Sequence, residues 1–241
     1  LMHYGDLFLG KTTVLCKDTP AFIANRVGVF AIMKVIDSMN KLNLNIDEID
    51  KLTGPVIGRP KSATFRTSDV VGLDTLIKVA GNLFEGLQND EGRKYFKLPE
   101  VVLKMEQNKW LGDKTNQGFY KKTKNTKGET EILTLDLNTL EYKPKAKTKF
   151  ATLESTKSID NLKQRFKVLF GGKDNAGEFY RDSFFGLFQY VSNRIPEIAD
   201  ELFKIDDAVC AGFGWDLGPF ETWDAVNAEE TLSAMELAGY K

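Results

Sequence analysis

Histidine occurs once in this sequence, at His3, and cysteine twice, at Cys16 and Cys210. A single histidine leaves no way to build a multi-histidine zinc site, and His3 alone is a poor start for a catalytic triad. The two cysteines are too few for a disulfide framework and too far apart for a metal-binding pair, which fits a reducing, cytoplasmic setting. No run of about 18 apolar residues is present, so no membrane span is expected, and no charged-then-apolar leader opens the chain. Neither sign of charge is in excess: 33 Lys and Arg stand against 34 Asp and Glu. That balance argues against general nucleic-acid binding and against an acidic solvating tail. Small molecules and other proteins remain as partners. Leu1 is not a Met and stands in an apolar-periodic stretch, so a segment upstream is expected.

What is present is mainly helical. At 241 residues the chain suits one large or two small domains. Residues 12–17 form a short β-prone run. Asp18 or Thr19 followed by Pro20 reads as a helix start, a capping oxygen and then a proline whose missing N–H costs nothing there. Phe22, Ile23, Val27, Phe30, Ala31 and Val35 then recur at helical spacing to about Asn40. Asn45 and Glu48 fit a capping box for a short helix ending at Gly54-Pro55. Further helices are expected at 62–71, 74–87 and 99–108.

The composition changes at Gly118. A Lys-rich loop follows Phe119-Tyr120, and 132–137 with 140–142 around Asn138-Thr139 reads as a β-hairpin. Residues 143–149, with a proline and four lysines, read as a linker. A second helical set is expected at 159–170 and 177–203, with Gly171-Gly172 between them and Pro196 kinking or dividing the longer one. Residues 229–240 read as a last helix.

The two halves echo one another. Ile49-Asp50 leads through Gly54 and Gly58 to Ser68-Asp69-Val70-Val71-Gly72. Ile205-Asp206 leads through Gly212, Gly214 and Gly218-Pro219-Phe220 to Trp223-Asp224-Ala225-Val226. The Asp-to-Asp spacings are 19 and 18 residues, which reads as two related helical modules. The pair Asn25-Arg26 has no counterpart at matching spacing in the second half.

Several motifs invite a chemical reading. Gly5 to Thr12 satisfies G-x-x-x-x-G-K-[ST], but a phosphate loop follows a strand and opens a helix. Here Leu7-Phe8-Leu9 reads as the end of a helix and Thr13-Val14-Leu15 as a strand. Gly212-Phe213-Gly214 followed by Gly218 has its last glycine one residue late for a dinucleotide fingerprint, and its aromatics read as core. The acidic sets Asp47, Glu48, Asp50 and Asp206, Asp207 read as helix-terminus residues before acids or metal ligands. Lys114, in a polar loop between glycines, is either a solvated charge or a point charge for an anionic ligand. Asn25 and Arg26 are similarly open: an amide on a helix face can serve the fold or donate to a substrate carbonyl.

Together these segments resemble the C-terminal part of a 3-hydroxyacyl-CoA dehydrogenase. The resemblance rests on Gly10-Lys11-Thr12-Thr13-Val14 through Lys17-Asp18-Thr19-Pro20-Ala21-Phe22-Ile23-Ala24-Asn25-Arg26, on Val70-Val71-Gly72-Leu73-Asp74, and on Gly112-Asp113-Lys114-Thr115 with Gly118-Phe119-Tyr120. Gly218-Pro219-Phe220-Glu221 with Trp223-Asp224 completes it. It covers essentially the whole chain. The family commonly has Gly where Ala21 stands, a change that a helix tolerates.

The resemblance implies a mainly α fold of two tandem C-terminal-like modules joined by a β-hairpin and linker. Residues 1–17 would be a junction with an upstream domain, 18–121 the first module, 122–157 the hairpin and linker, and 158–241 the second module. It implies NAD-dependent interconversion of L-3-hydroxyacyl-CoA and 3-oxoacyl-CoA in fatty-acid β-oxidation. It further implies a Rossmann domain in cis and a homodimer, and the long, tandem-module branch, in which an enoyl-CoA hydratase domain can follow. Asn25 matches the family's active-site asparagine near the reacting carbonyl, and Lys114 matches a lysine that approaches NAD.

Departures from the pattern are plain. The Rossmann fingerprint, the His-Phe-Phe-Asn-Pro-like motif and its partner glutamate are absent, and His3 stands too far downstream to replace the histidine. Arg59-Pro60-Lys61 stands where Gly-Pro-Phe is usual. The chain alone is therefore expected to be catalytically silent. The alternatives are a non-catalytic dimerisation or interaction module and, less favoured, a phosphate-loop nucleotide binder.

Overall fold

The computed structural model describes residues 1–240. A short α1, Met2–Phe8, precedes an irregular stretch, and the first helical set follows: α2, Ala24–Lys41; α3, Ile46–Leu52; α4, Phe65–Val71; α5, Leu73–Gly86; and α6, Glu100–Gln107. A three-stranded antiparallel sheet of β1, Tyr120–Lys124, β2, Thr130–Leu135, and β3, Tyr142–Pro144, comes next, in the order β1-β2-β3. The second set is α7, Ala151–Ser155; α8, Leu162–Phe170; α9, Asn175–Asn193; α10, Leu202–Phe213; α11, Pro219–Ala225; and α12, Ala228–Leu237. Among the described residues no helix is long and apolar enough to cross a membrane.

The capping box forms as its residue types require. The Asn45 side chain accepts from the Glu48 N–H at 3.0 Å, and the Glu48 carboxylate accepts from the Asn45 N–H at 2.9 Å. Gly171 and Gly172 separate α8 from α9, and Pro196 falls in the break between α9 and α10.

Three expectations need correction. First, α2 does not start at Pro20. Ala21 and Phe22 take left-handed φ values of 62° and 53°, and the helix begins only at Ala24. The apolar spacing is right for a helix, but a pair of left-handed residues leaves no mark in it. Phe22 consequently points outward at 54% exposure, while Ile23 is buried. The β-prone run 12–17 forms no strand; the Lys17 N–H donates to the Ile198 carbonyl instead.

Second, the hairpin is part of a larger sheet. β1 pairs with β2 in the register Lys122↔Ile132, and β2 with β3 in the register Thr134↔Lys143. β1 carries three lysines and looks like loop, but it is an edge strand, where lysine is tolerated and blocks further pairing.

Third, the two halves align differently. Asp50 of α3 accepts backbone N–H groups of Thr64, Phe65 and Arg66 at 3.1, 2.7 and 3.0 Å, closing the N-terminus of α4. Asp206 of α10 does the same for α11, through Phe220 and Glu221 at 2.9 and 3.1 Å. Phe65 and Phe220 are therefore equivalent, and Ala63-Thr64-Phe65 is the counterpart of Gly218-Pro219-Phe220. Arg59-Pro60-Lys61 lies elsewhere, in the loop after Gly58. Gly58 and Gly214 are matching left-handed turns, at φ 66° and 65°. The two modules are thus the same local design built twice.

Their contact runs along α2 and α9, which lie antiparallel. Every fourth residue of α2 meets every fourth residue of α9, as packed i±4 rows require. The Phe30 ring stacks on Tyr190 with centroids 3.8 Å apart. Lys34 lies over Gly186, where a built Cβ would come within 2.6 Å of its side chain. Ser38 donates to Asp182 at 2.6 Å. Burying large side chains such as Phe30 and Tyr190 stabilises by roughly 1.5–3 kcal/mol each.

Candidate functional site

Asn25 occupies the first turn of α2 and is exposed. Its side chain has no hydrogen-bond partner among the described residues. No side chain caps α2, so the first N–H groups of an 18-residue helix stand open beside it. Such a terminus carries a partial positive charge and unpaired donors. An open amide next to open N–H groups can meet an oxygen that gains negative charge.

The surroundings hold this terminus in place. Gly86, at the end of α5, abuts Pro20, with a built Cβ 3.6 Å from its ring. A Cβ built on Gly212 of α10 would come within 2.9 Å of Ala24, and one built on Gly28 within 2.1 Å of the Phe213 ring, too close for any side chain there. In the would-be dinucleotide fingerprint Gly212 thus serves helix-to-helix approach, Gly214 makes a left-handed turn, and Gly218 sits tightly against Asp206.

Arg26, one residue on, has the opposite duty. It is fully buried, and its guanidinium donates to Asp90 at 2.7 Å and to the Tyr190 hydroxyl at 3.0 Å. Glu197 lies 2.6 Å from its other end, close in distance but poorly directed for a hydrogen bond. Tyr190 and Arg194 also donate to the same Asp90 oxygen, at 3.0 and 2.9 Å. This carboxylate clamps α2 to α9. Nothing local in the sequence marks Asp90, because its partners are 64 to 104 residues away.

Lys114 sits in a single 3₁₀ turn, Asp113–Thr115, with its ammonium half exposed and ion-paired to Asp74 in the first turn of α5. Asp69 builds this loop: its carboxylate accepts from the Phe119 and Tyr120 N–H groups at 2.9 and 2.8 Å. Gly112 and Gly118 let the loop close on Asp69, since Cβ atoms there would come within 2.2 and 2.1 Å of it. Burial pushes Asp69 up to about 6 against those hydrogen bonds, and does the same to Asp50 and Asp206. The echo partner Asp224 is exposed and makes no comparable bonds among the described residues.

Asn25 and Lys114 are not in contact. Lys114 is tied to the start of α5, and Asn25 follows the turn that touches its end. Twelve helical residues at 1.5 Å each separate those ends by about 18 Å.

The other candidates are structural. Asp47 accepts from the Thr134 hydroxyl and the Ala146 N–H at 2.9 and 2.8 Å. No group of three or more His, Cys, Asp or Glu among the described residues is placed to hold a metal ion. The Gly5–Thr12 motif lies on α1 and the bend after it, with the Thr13 hydroxyl donating to Asp6 at 2.6 Å, and it forms no cradle.

Residues 22–122 match the sequence profile of the family described as 3-hydroxyacyl-CoA dehydrogenase, C-terminal domain. Over 236 residues the chain is 42% identical to a probable 3-hydroxyacyl-CoA dehydrogenase of Bacillus subtilis (strain 168), covering 98% of this chain and 29% of that protein. A protein of the same description from Deinococcus radiodurans is 44% identical over 132 residues, 55% of this chain and 37% of its own length. A putative fatty acid oxidation complex trifunctional enzyme of Rickettsia prowazekii is 28% identical over 88% of this chain and 28% of that protein. The chain therefore spans well under half of these relatives. The crystal structure of 3-hydroxybutyryl-CoA dehydrogenase from Escherichia coli K12 shares the fold, with a TM-score of 0.62 at 17% identity over 92% of this chain and 56% of that one.

Proposed function

Residues 22–122 are a 3-hydroxyacyl-CoA dehydrogenase C-terminal domain, and from that premise we propose that the chain is the helical substrate-binding and dimerisation part of an NAD-dependent L-3-hydroxyacyl-CoA dehydrogenase. The enzyme interconverts 3-hydroxyacyl-CoA and 3-oxoacyl-CoA in fatty-acid oxidation in the cytoplasm. Residues 18–121 and 158–241 act as its two helical modules, with 1–17 as the junction and 122–157 as the hairpin and linker.

The observation that carries this reading is the division of labour at Asn25-Arg26. Arg26 is consumed by the fold, while Asn25 is exposed and unpartnered at an open helix terminus. In the direction of reduction the 3-oxygen gains negative charge, and Asn25 donates to it. A dinucleotide-binding domain in cis supplies the main cofactor contacts and the acid–base group. NAD, when bound, accepts or returns hydride at its nicotinamide. Lys114 fits such a ligand: its half-exposed ammonium can leave Asp74 for a phosphate. Val70 and Val71 of α4, 58% and 57% exposed, offer an apolar face to a second copy or to the dinucleotide-binding domain.

The test is reduction of a 3-oxoacyl-CoA, followed as loss of NADH absorbance, by the enzyme carrying this region with its dinucleotide-binding domain. Substrate-dependent NADH oxidation is expected. Its absence across short and long acyl chains would refute the reading.

A further inference from the structure

The residues on either side of Asn25 are both held from the second half of the chain. A Cβ built on Gly212 would come within 2.9 Å of the Ala24 methyl, so α10 passes close against the start of α2. The Arg26 guanidinium donates to the Tyr190 hydroxyl of α9 at 3.0 Å and ion-pairs with Glu197, in the break after α9, at 2.6 Å. On its entry side the same turn has no side-chain cap, and the chain reaches it through the left-handed pair Ala21 and Phe22.

From the first half Arg26 receives Asp90, and that carboxylate is itself fixed from both halves. Its Oδ1 accepts the Gly92 N–H at 2.7 Å, and its Oδ2 accepts from Arg26, from the Tyr190 hydroxyl and from Arg194. Arg194 in turn pairs with Glu91 and Glu197 at 2.5 and 2.6 Å. The Arg26 and Asp90 side chains are buried, and a buried polar network tied at this many points rigidifies what it touches.

A second clamp lies further along the same interface. Lys34 and Ser38 of α2 meet Asp182 of α9 at 2.7 and 2.6 Å. Asp182 precedes Tyr190 by two turns of α9, about 12 Å, so only the Tyr190 end bears on the neighbours of Asn25. The second half repeats the capping aspartate and the left-handed glycine, but it has no Asn-Arg pair at matching spacing.

We infer that the second half of the chain is the seat of the Asn25 amide: Tyr190 and Glu197 are positioning residues, which hold Arg26 and thereby aim Asn25 at the substrate oxygen. The inference rests on the proposed role of Asn25 and adds to it a duty for the half in which the Asn-Arg pair is not repeated. A donor to a developing oxyanion acts from a narrow range of positions, and a displacement of about 1 Å can cost about a hundredfold in rate. Loosening the seat therefore lowers kcat more than it changes KM, because the amide's strongest contact is made in the transition state.

The test is the Tyr190→Phe, Glu197→Gln double variant in the complete enzyme, where Phe keeps the ring that stacks on Phe30. Its kcat should fall about tenfold with KM within about twofold of wild type. Asp182→Asn, which opens the far clamp, controls for a merely structural effect: it should lower Tm yet leave kcat within about twofold. On an Asn25→Ala background the double variant should cost nothing further in kcat, since a seat has no effect once its amide is gone. Losses that multiply, or equal falls in kcat from the double variant and Asp182→Asn, would overturn the inference and leave the role of Asn25 standing. Unchanged turnover in Asn25→Ala would overturn that role and the seat with it. A readout apart from activity is the side-chain amide resonance of Asn25 in this chain. It should shift in the double variant and stay in Asp182→Asn, and a resonance unmoved in both would overturn the seat.

Discussion

The Arg59 guanidinium carbon lies 3.8 Å from the centroid of the Trp215 ring, and the two residues hold matching positions in the two modules. Each directly follows a left-handed glycine, Gly58 or Gly214, in the loop beyond its module's capping aspartate. The Asp216 N–H donates to the Gly58 carbonyl at 2.8 Å, so the two loops are joined by backbone as well. Burial pushes the Arg59 guanidinium down to about 9, and the Trp215 face takes the place of a carboxylate partner. Repetition has brought equivalent positions together while giving them different side chains. Trp215→Ala should destabilise the chain by about 3–5 kcal/mol, the usual range for deleting a buried aromatic. Trp215→Phe should cost clearly less. Chemical denaturation measures both, and a Trp215→Ala midpoint equal to wild type would remove this contact from the account.

The turn before α2 makes a second prediction. Ala21 at φ 62° bears a left-handed strain of about 1–2 kcal/mol that glycine does not feel. After the entropy cost of glycine, Ala21→Gly should stabilise by about 1 kcal/mol and raise Tm by about 2–4 °C. Ala24→Gly, inside α2, should do the reverse by about 0.5–1 kcal/mol. A fall in Tm for Ala21→Gly would show that the turn is not left-handed at that residue.

The same turn marks where the sequence stops being legible. Asp18-Thr19-Pro20 has the residue types of a helix start, and the apolar spacing of Phe22 and Ile23 supports one. The left-handed pair at Ala21 and Phe22 has no signature in those types. The expectation that glycine and alanine are interchangeable at residue 21 fails for that reason, and the resemblance itself, with glycine usual there, held the clue. Asn45 and Glu48 were readable because both halves of the capping box lie within one turn. Asp50 and Asp206 read as helix-terminus residues in the sequence, but the helices they cap are the following ones, so the match of Phe65 with Phe220 appears only in three dimensions. Arg26, Asp90 and Arg194 look like surface charges in one dimension, because ion pairs formed across modules leave no local pattern. Asn25 and Lys114 stand out in the sequence only through the family resemblance, since neither residue type nor spacing marks an exposed amide or a half-exposed lysine.

The α2–α9 contact makes stability depend on acid. Burial opposes charge on Asp182, but hydrogen bonds from Lys34, Lys41 and Ser38 outweigh it and hold the carboxyl at about 2. A folded value below the unfolded one of about 3.9 means that the stabilisation is fully present above the unfolded value and is lost as pH falls through the folded one. Comparing wild type with Asp182→Asn isolates this group from Asp50, Asp69 and Asp206, whose raised values act in the opposite sense. The difference in unfolding free energy should be roughly constant above about pH 5, and should shrink by about 2 kcal/mol as pH approaches 2. A difference that does not change with pH would contradict it.

Lys114 makes a separable prediction. Lys114→Ala in the complete enzyme should weaken NAD several-fold and leave the Tm nearly unchanged, because its ion pair with Asp74 is half exposed and worth little to the fold. Equilibrium dialysis of NAD measures the effect. An unaltered dissociation constant would return Lys114 to the role of a surface charge.

The central claim is that the exposed amide of Asn25 acts on the substrate while its neighbour Arg26 serves the fold. Steady-state turnover of Asn25→Ala in the complete enzyme tests it most directly, with Tm recorded alongside. Losing one well-placed donor to a developing oxyanion costs about a hundredfold or more. The account predicts a fall in kcat of that size with an unchanged Tm. Turnover within twofold of wild type would contradict it.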